Sequence, residues 1–213
     1  MKTPFTSEEF FKVIENYNTF FFPLQLVFIV LTLIALWFIA KKIKQQRRLV
    51  HVILAFFWIW MGIAYHWIFF SSINPAAYGF AILFVVQGLF FFVSGFSKRN
   101  KWDYQLEKGT RSTLALVLIA FAIVIYPLIG YLIGEPVAEV PSMGLPCPTT
   151  IFTFGVLIAR KGRFPFYLLV IPLLWSLIGF TAALKFGVYQ DIFLPVSAIM
   201  ALVFLRRTKT ITR

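Results

Sequence analysis

Apolar runs long enough to cross a bilayer recur along this 213-residue chain, with charge confined to the stretches between them. A hydrocarbon core of roughly 30 Å takes roughly 20 apolar helical residues, and a soluble core does not hide several such runs. The long runs cover 20–40, 49–70, 78–97, 113–134 and 164–184; shorter ones cover 149–159 and 192–205. A composition of 60% hydrophobic and 13% charged residues agrees. The expected fold is all-α, a polytopic transmembrane helix bundle of seven spans with a short broken fifth. Residues 20–205 form the domain and 206–213 a basic tail.

Charge sorting sets the expected orientation. Lys41, Lys42, Lys44, Arg47 and Arg48 follow the first run, and Lys98, Arg99, Lys101, Lys108 and Arg111 follow the third. Arg160, Lys161 and Arg163 follow the fifth, and Arg206, Arg207, Lys209 and Arg213 close the chain. With seven crossings these 17 of the 20 Lys and Arg share one side, leaving Lys2, Lys12 and Lys185 on the other. The positive-inside rule makes the rich side cytoplasmic, with the N-terminus outside and the C-terminus inside. Six acids, Glu8, Glu9, Glu15, Glu135, Glu139 and Asp191, then lie outside. The net charge of +12 is explained by this sorting, with anionic lipids at the cytoplasmic face as partners and no nucleic acid. The expected location is the inner (cytoplasmic) membrane of a bacterium.

Residues 1–19 read as an interfacial segment. Thr6 and Glu9 fit a capping box, and Phe10, Val13, Ile14 and Tyr17 fall on one helical stripe. Three glutamates and no apolar h-region argue against a cleavable signal peptide.

The stretch from Pro141 to Arg160 is the anomaly. Its apolar run is about 11 residues, roughly 16 Å of helix, too short to cross alone. Irregular backbone dipping in from outside before Cys147 is the expected solution, and such backbone is tolerated only where protein packs it or water reaches it. Cys147-Pro148-Thr149-Thr150 has the form of a helix N-terminus, which favours an anion and activates a thiol; the alternative is a capped start with an inert thiol.

Few polar residues interrupt the spans. Tyr65 and His66 end the second, Asn74-Pro75 follows it, and Gln87 lies mid-way along the third. Gly130 and Gly134 read as a small-residue contact face on the fourth, and His51 as interfacial beside the basic loop. Tyr65, His66, Asn74, Gln87, Cys147, Thr149 and Thr150 are therefore the candidate substrate-binding residues, and His66 with Cys147 the candidate metal pair. Two histidines and one cysteine exclude a three-histidine zinc site and an internal disulfide. No Gly-rich phosphate loop is present, no cofactor is expected, and no nucleophile–base set indicates an enzyme.

Several blocks resemble an uncharacterised bacterial family of small polytopic membrane proteins, known by a domain-of-unknown-function label and sometimes loosely named permease. They are Trp58-Ile-Trp-Met-Gly-Ile-Ala-Tyr-His66, Ile73-Asn-Pro-Ala-Ala77, Gly144-Leu-Pro-Cys-Pro-Thr-Thr-Ile-Phe-Thr-Phe-Gly155 and Pro172-Leu-Leu-Trp-Ser-Leu-Ile-Gly179. The resemblance covers nearly the whole chain and implies the membrane topology, with no mechanism attached. The family tends to place a histidine where Glu135 stands. The span order is also similar to small sugar transporters built from two three-helix repeats. The functional expectation is a small-solute permease or channel-like protein with an outward-facing cavity. The alternative is a non-transporting accessory protein that binds a metal or a protein partner through His66 and Cys147.

Overall fold

The computed structural model describes residues 4–97, 102–162 and 165–206. Its helices are α1 (Ser7–Phe21), α2 (Leu24–Ala40), α3 (Gln46–Ser72), α4 (Ala77–Phe96), α5 (Thr110–Leu132), α6 (Pro146–Ile158), α7 (Tyr167–Phe186) and α8 (Tyr189–Leu205). Four of them, α3, α4, α5 and α7, are long and apolar enough to cross a membrane. The count is five if α1 and α2, which meet at a bend of 82°, make one span. Sequence leads to an expectation of seven crossings; α6 and α8 are apolar but shorter. The outward faces are apolar too: Leu26, Ile63, Ile82, Val124, Leu177 and Ile199 are all exposed. A helix that is apolar all round belongs in lipid.

α1 starts as its sequence dictates. The Glu9 amide donates to Thr6 Oγ1 at 3.2 Å, the Thr6 amide donates to Glu9 Oε2 at 2.7 Å, and Val13, Ile14 and Tyr17 are buried. Asn18 Nδ2 then donates to the carbonyls of Ala138 and Val140, which ties α1 to the loop before α6.

The short helix α6 stands at the centre of the bundle. Every residue from Pro148 to Ile158 is buried. Protein surrounds it on all sides, including α3, where Trp58 Nε1 donates to Thr153 Oγ1 at 3.1 Å. It begins one residue before the Cys147-Pro148 start expected from sequence, with Pro146 in its first turn.

The bundle contains the same helical hairpin twice. On α4, a Cβ added at Gly88 would lie 2.9 Å from the Ala55 carbonyl and 3.1 Å from the Ile59 amide of α3. On α6, a Cβ added at Gly155 would lie 3.0 Å from the Ala115 carbonyl and 3.2 Å from the Ile119 amide of α5. Each glycine lets two helices touch backbone to backbone, which is how apolar helices gain contact where lipid competes equally for side chains. Each hairpin's first helix loosens into π-helical turns, at Met61–Phe69 and at Phe121–Ile125. Each second helix leads into a strand, and β1 (Trp102–Tyr104) pairs antiparallel with β2 (Arg160–Gly162). Sequence suggests two three-helix repeats; the contacts instead repeat a two-helix unit, α3 with α4 and α5 with α6.

That comparison locates the shortfall in α6. From Gly88, α4 reaches back to Ala77 and on to Phe96; from Gly155, α6 reaches back to Pro146 but on only to Ile158. Most of the missing length is at the ribbon end, and the chain before Cys147 is, as expected, irregular and largely buried from Val140 to Leu145. The Gln105 amide donates to the Ala159 carbonyl, and Arg160, 2% exposed, donates to the Leu205 carbonyl at 2.7 Å and to that of Gly162. Arg111 donates to the Phe204 carbonyl at 2.6 Å and the Arg160 carbonyl at 3.1 Å. Burial, and then the neighbouring Arg111 charge, lower the Arg160 pKa to about 10, so it stays protonated at neutral pH. Two cations thus cap the last carbonyls of α8 beside the end of α6.

Other expectations change. His51 is buried rather than interfacial, with Nδ1 at 2.9 Å from the Phe91 carbonyl. Gly130 packs against Gln190 and Glu135 and Gly134 lies beyond α5, so they are not a helix-contact pair. Lys98, Arg99, Lys101, Arg163, Arg207, Lys209 and Arg213 lie outside the described residues.

The repeated contact predicts the cost of filling it. Gly155→Val should lower the melting temperature of the purified protein, because the Ala115 carbonyl is backbone and cannot swing away. Gly79→Val, on the same kind of helix but with nothing within 4 Å, should leave it within a degree or two. Equal losses in a detergent thermal melt would disprove the backbone contact.

Candidate functional site

A cavity of about 230 Å³ lies at the end of the bundle away from the ribbon. Its size suits a ligand smaller than a drug, for which pockets of about 300 to 1,000 Å³ are usual. The ends of α3 and α7, the start of α6 and the start of α8 make its wall, and α1 is its roof. Phe5 and Phe10 stack on Phe186 of α7, with ring centroids 5.2 and 4.8 Å apart.

The polar groups in the wall converge on Asp191. It sits in the first turn of α8, is 1% exposed, and accepts a short hydrogen bond from the Tyr126 hydroxyl. The Cys147 side chain lines the same wall. Gly179 of α7 packs beside this cluster: a Cβ there would lie 2.7 Å from Leu194 Cδ1 of α8, and at ordinary contact distance, 3.4 Å, from Cys147 Sγ and Trp175 Nε1. The Trp175 indole N–H finds no hydrogen-bond acceptor among the described residues. The ion pairs among the described residues are Lys12–Glu15 and Lys161–Glu107, so Asp191 faces no described cation at bonding distance. Tyr65 is 4% exposed, lines the cavity, and finds no hydrogen-bond partner among the described residues. A buried carboxyl within an apolar bundle is expensive, and such residues are kept where a site uses them.

The two π-helical stretches aim this wall. Tyr65 lies within the first and Tyr126 directly follows the second. A π turn inserts a residue into the helical repeat and rotates the side chains beyond it, a device common at functional sites.

Of the residues proposed from sequence, Tyr65, Asn74 and Cys147 line the cavity. The others do not. His66 is fully buried in a cage of aromatic rings, 4.5 Å from that of Phe84 and 5.0 Å from that of Trp175, and neither ring nitrogen has a described partner. Gln87 donates to the Leu168 carbonyl at 3.0 Å, joining α4 to α7. Thr149 Oγ1 accepts from the Gly144 amide at 3.1 Å and anchors the loop before α6. Thr150 is fully buried and its hydroxyl is unpartnered. Among the described residues, no group of three or more His, Cys, Asp or Glu could hold a metal ion. Asn74 Oδ1 accepts from the Ala76 amide at 3.1 Å, so it shapes the turn into α4 as well as the cavity rim.

A model of a family of unknown function, DUF6064, matches residues 7–213. The chain belongs to DUF6064. No curated protein and no solved structure matches it. In this DUF6064 chain the family membership supports a helical membrane protein and assigns no activity, so the site rests on its own geometry.

Asp191, Tyr126 and Trp175 are not among the residues that sequence singles out for the site. Sequence places Asp191 with the outer, solvated acids; the structure buries it instead. The available signal is its place at the very start of an apolar run, beside Gln190. Gln190 is itself buried and donates to Glu135 Oε2 at 3.3 Å. Half-burial pushes the Glu135 carboxyl above its usual range, Gln190 opposes the shift and Glu139 adds to it.

A carboxyl whose pKa is raised by folding binds its proton more tightly when folded, so stability is lost as pH rises through the folded value. Glu135→Gln should therefore be more stable than wild type at pH 7.5, and the difference should narrow towards pH 4.5. Parallel melting curves across that range would disprove the assignment.

Proposed function

We propose that this protein is a small-solute permease or channel-like protein of the bacterial inner membrane, and that it takes its solute into the cavity beneath α1 from outside the cell. The observation that carries the reading is the cavity itself, with a buried carboxyl, a thiol and three aromatic polar groups turned into one small apolar space. Seven crossings, α2 to α8, fit the chain best. They set Lys41, Lys42, Lys44, Arg47, Arg48, Lys108, Arg111, Arg160 and Lys161 together at one end, which the positive-inside rule makes cytoplasmic. The shortness of α6 is compatible with a crossing because protein, not lipid, surrounds it. Tyr65, Asn74 and Cys147 contact the solute in this reading. Gln87, Thr149 and Thr150 hold the helices that carry them.

The accessory-protein alternative draws on one observation: the two His66 ring nitrogens have no described partner. It requires His66 and Cys147 to approach across Trp175.

Cys147 is the single cysteine, so wild-type protein tests the main reading directly. A membrane-impermeant maleimide added to intact spheroplasts should label it. Labelling only after the membrane is breached would invert the orientation. Labelling only after denaturation would close the cavity to solutes and overturn the reading. Zinc-dependent protection lost in His66→Ala would favour the accessory role.

A further inference from the structure

We propose that the ligand of this cavity is a small organic cation, an amine with an apolar body, whose ammonium sits beside Asp191 and whose body lies against aromatic rings. The inference rests on the cavity being a ligand site and adds the chemical class.

Charge selects the class first. Asp191 is 1% exposed and no described cation lies within ion-pair distance of it. Its hydrogen-bond partner Tyr126 and its neighbour in the wall, Cys147, are neutral groups. A buried carboxylate gains most from a positive partner that brings its own donors. Lys185 also lines the cavity, but it is exposed, already engaged with another group, and sits at the rim with its head in reach of water. Glu135 adds a second acid behind Gln190.

The walls agree. Tyr65, Phe80, Tyr126 and Trp175 line the space around Asp191, with Phe10 above. Aromatic faces attract ammonium groups, more so when water is excluded. They offer little to an anion. Tyr65, buried and without a described partner, gives the ammonium or a substituent on it an acceptor oxygen. Outside the roof, Glu8, Glu9, Glu15 and Glu139 surround a shallow depression that also contains Lys12. That surplus of negative charge would concentrate cations over the roof.

The test uses full-length protein in detergent with three probes of equal chain length: n-hexylammonium, n-hexanol and n-hexanoate. Binding is read as slowed maleimide labelling of Cys147 and as a rise in melting temperature. Hexylammonium should bind about tenfold or more tightly than hexanol, the ratio expected when a charged hydrogen bond replaces a neutral one, and hexanoate should not protect. Asp191→Asn should bring hexylammonium down to the level of hexanol. Should that variant not fold, the wild-type series still decides. Equal protection by all three probes, or better protection by hexanoate, overturns the cationic class and leaves a ligand cavity. Protection by none of them, with Cys147 still labelled from outside, overturns the ligand site itself.

Discussion

Backbone polar groups in the bilayer interior must find partners within the protein, and α6 is where this chain meets that demand most tightly. A helix of thirteen residues is roughly 20 Å long, too short for a hydrocarbon core of roughly 30 Å. The chain at its end is buried within the protein. There the Ala159 carbonyl accepts from Gln105 and the Arg160 carbonyl from Arg111, while Arg160 and Arg111 also donate to the Leu205 and Phe204 carbonyls at the end of α8. The two strands are thus the termination of the central helix. A two-stranded ribbon alone is marginal in water. Here Trp102 and Tyr104, buried beside His51, fix it in the bundle.

The same constraint explains why the basic clusters do more than orient the chain. Arg47 donates to the carbonyls of Trp102 and Ser97, and Gln46 donates to that of Tyr104. Residues counted in sequence as topological charge are therefore helix caps and ribbon braces as well. Replacing Arg160 with Met would leave the Leu205 carbonyl without its donor in a dry place, a loss of about 1.5 to 3 kcal/mol for a bond to a charged group.

Much of the architecture is legible in the sequence because hydropathy alone marks long apolar helices. α3, α4, α5 and α7 lie within a few residues of the runs that predict them. The capping box at Thr6 is legible for a local reason, since the residues that define it are three apart. Depth is what sequence leaves open. His51 and Asp191 both stand at the ends of apolar runs, where burial and solvation have the same local signature. Only the ribbon over one and the roof of α1 over the other decide the matter. The ribbon is invisible in sequence because its strands are three residues each and lie far apart in the chain. The site is half legible for the same reason: Tyr65, Asn74 and Cys147 stand out as polar residues among apolar ones, whereas Tyr126 and Trp175 look like ordinary membrane aromatics until Asp191 is placed against them.

The doubled hairpin gives the cavity its position. α3 and α5 each loosen into π turns on the same side of their glycine contacts, and each brings a tyrosine to the wall there. Two packed helices in register leave no space between them; two that depart from register at one level must be filled by something else. α7 and the first turn of α8 fill part of it, with Gly179 letting α7 approach Leu194 of α8. Asp191 arrives on that first turn of α8, outside the repeat, with no described cation at ion-pair distance to neutralise it. A symmetric frame with an acid introduced from one side makes a pocket whose walls are apolar and whose polarity has a direction, the pattern that the proposed ligand site draws on.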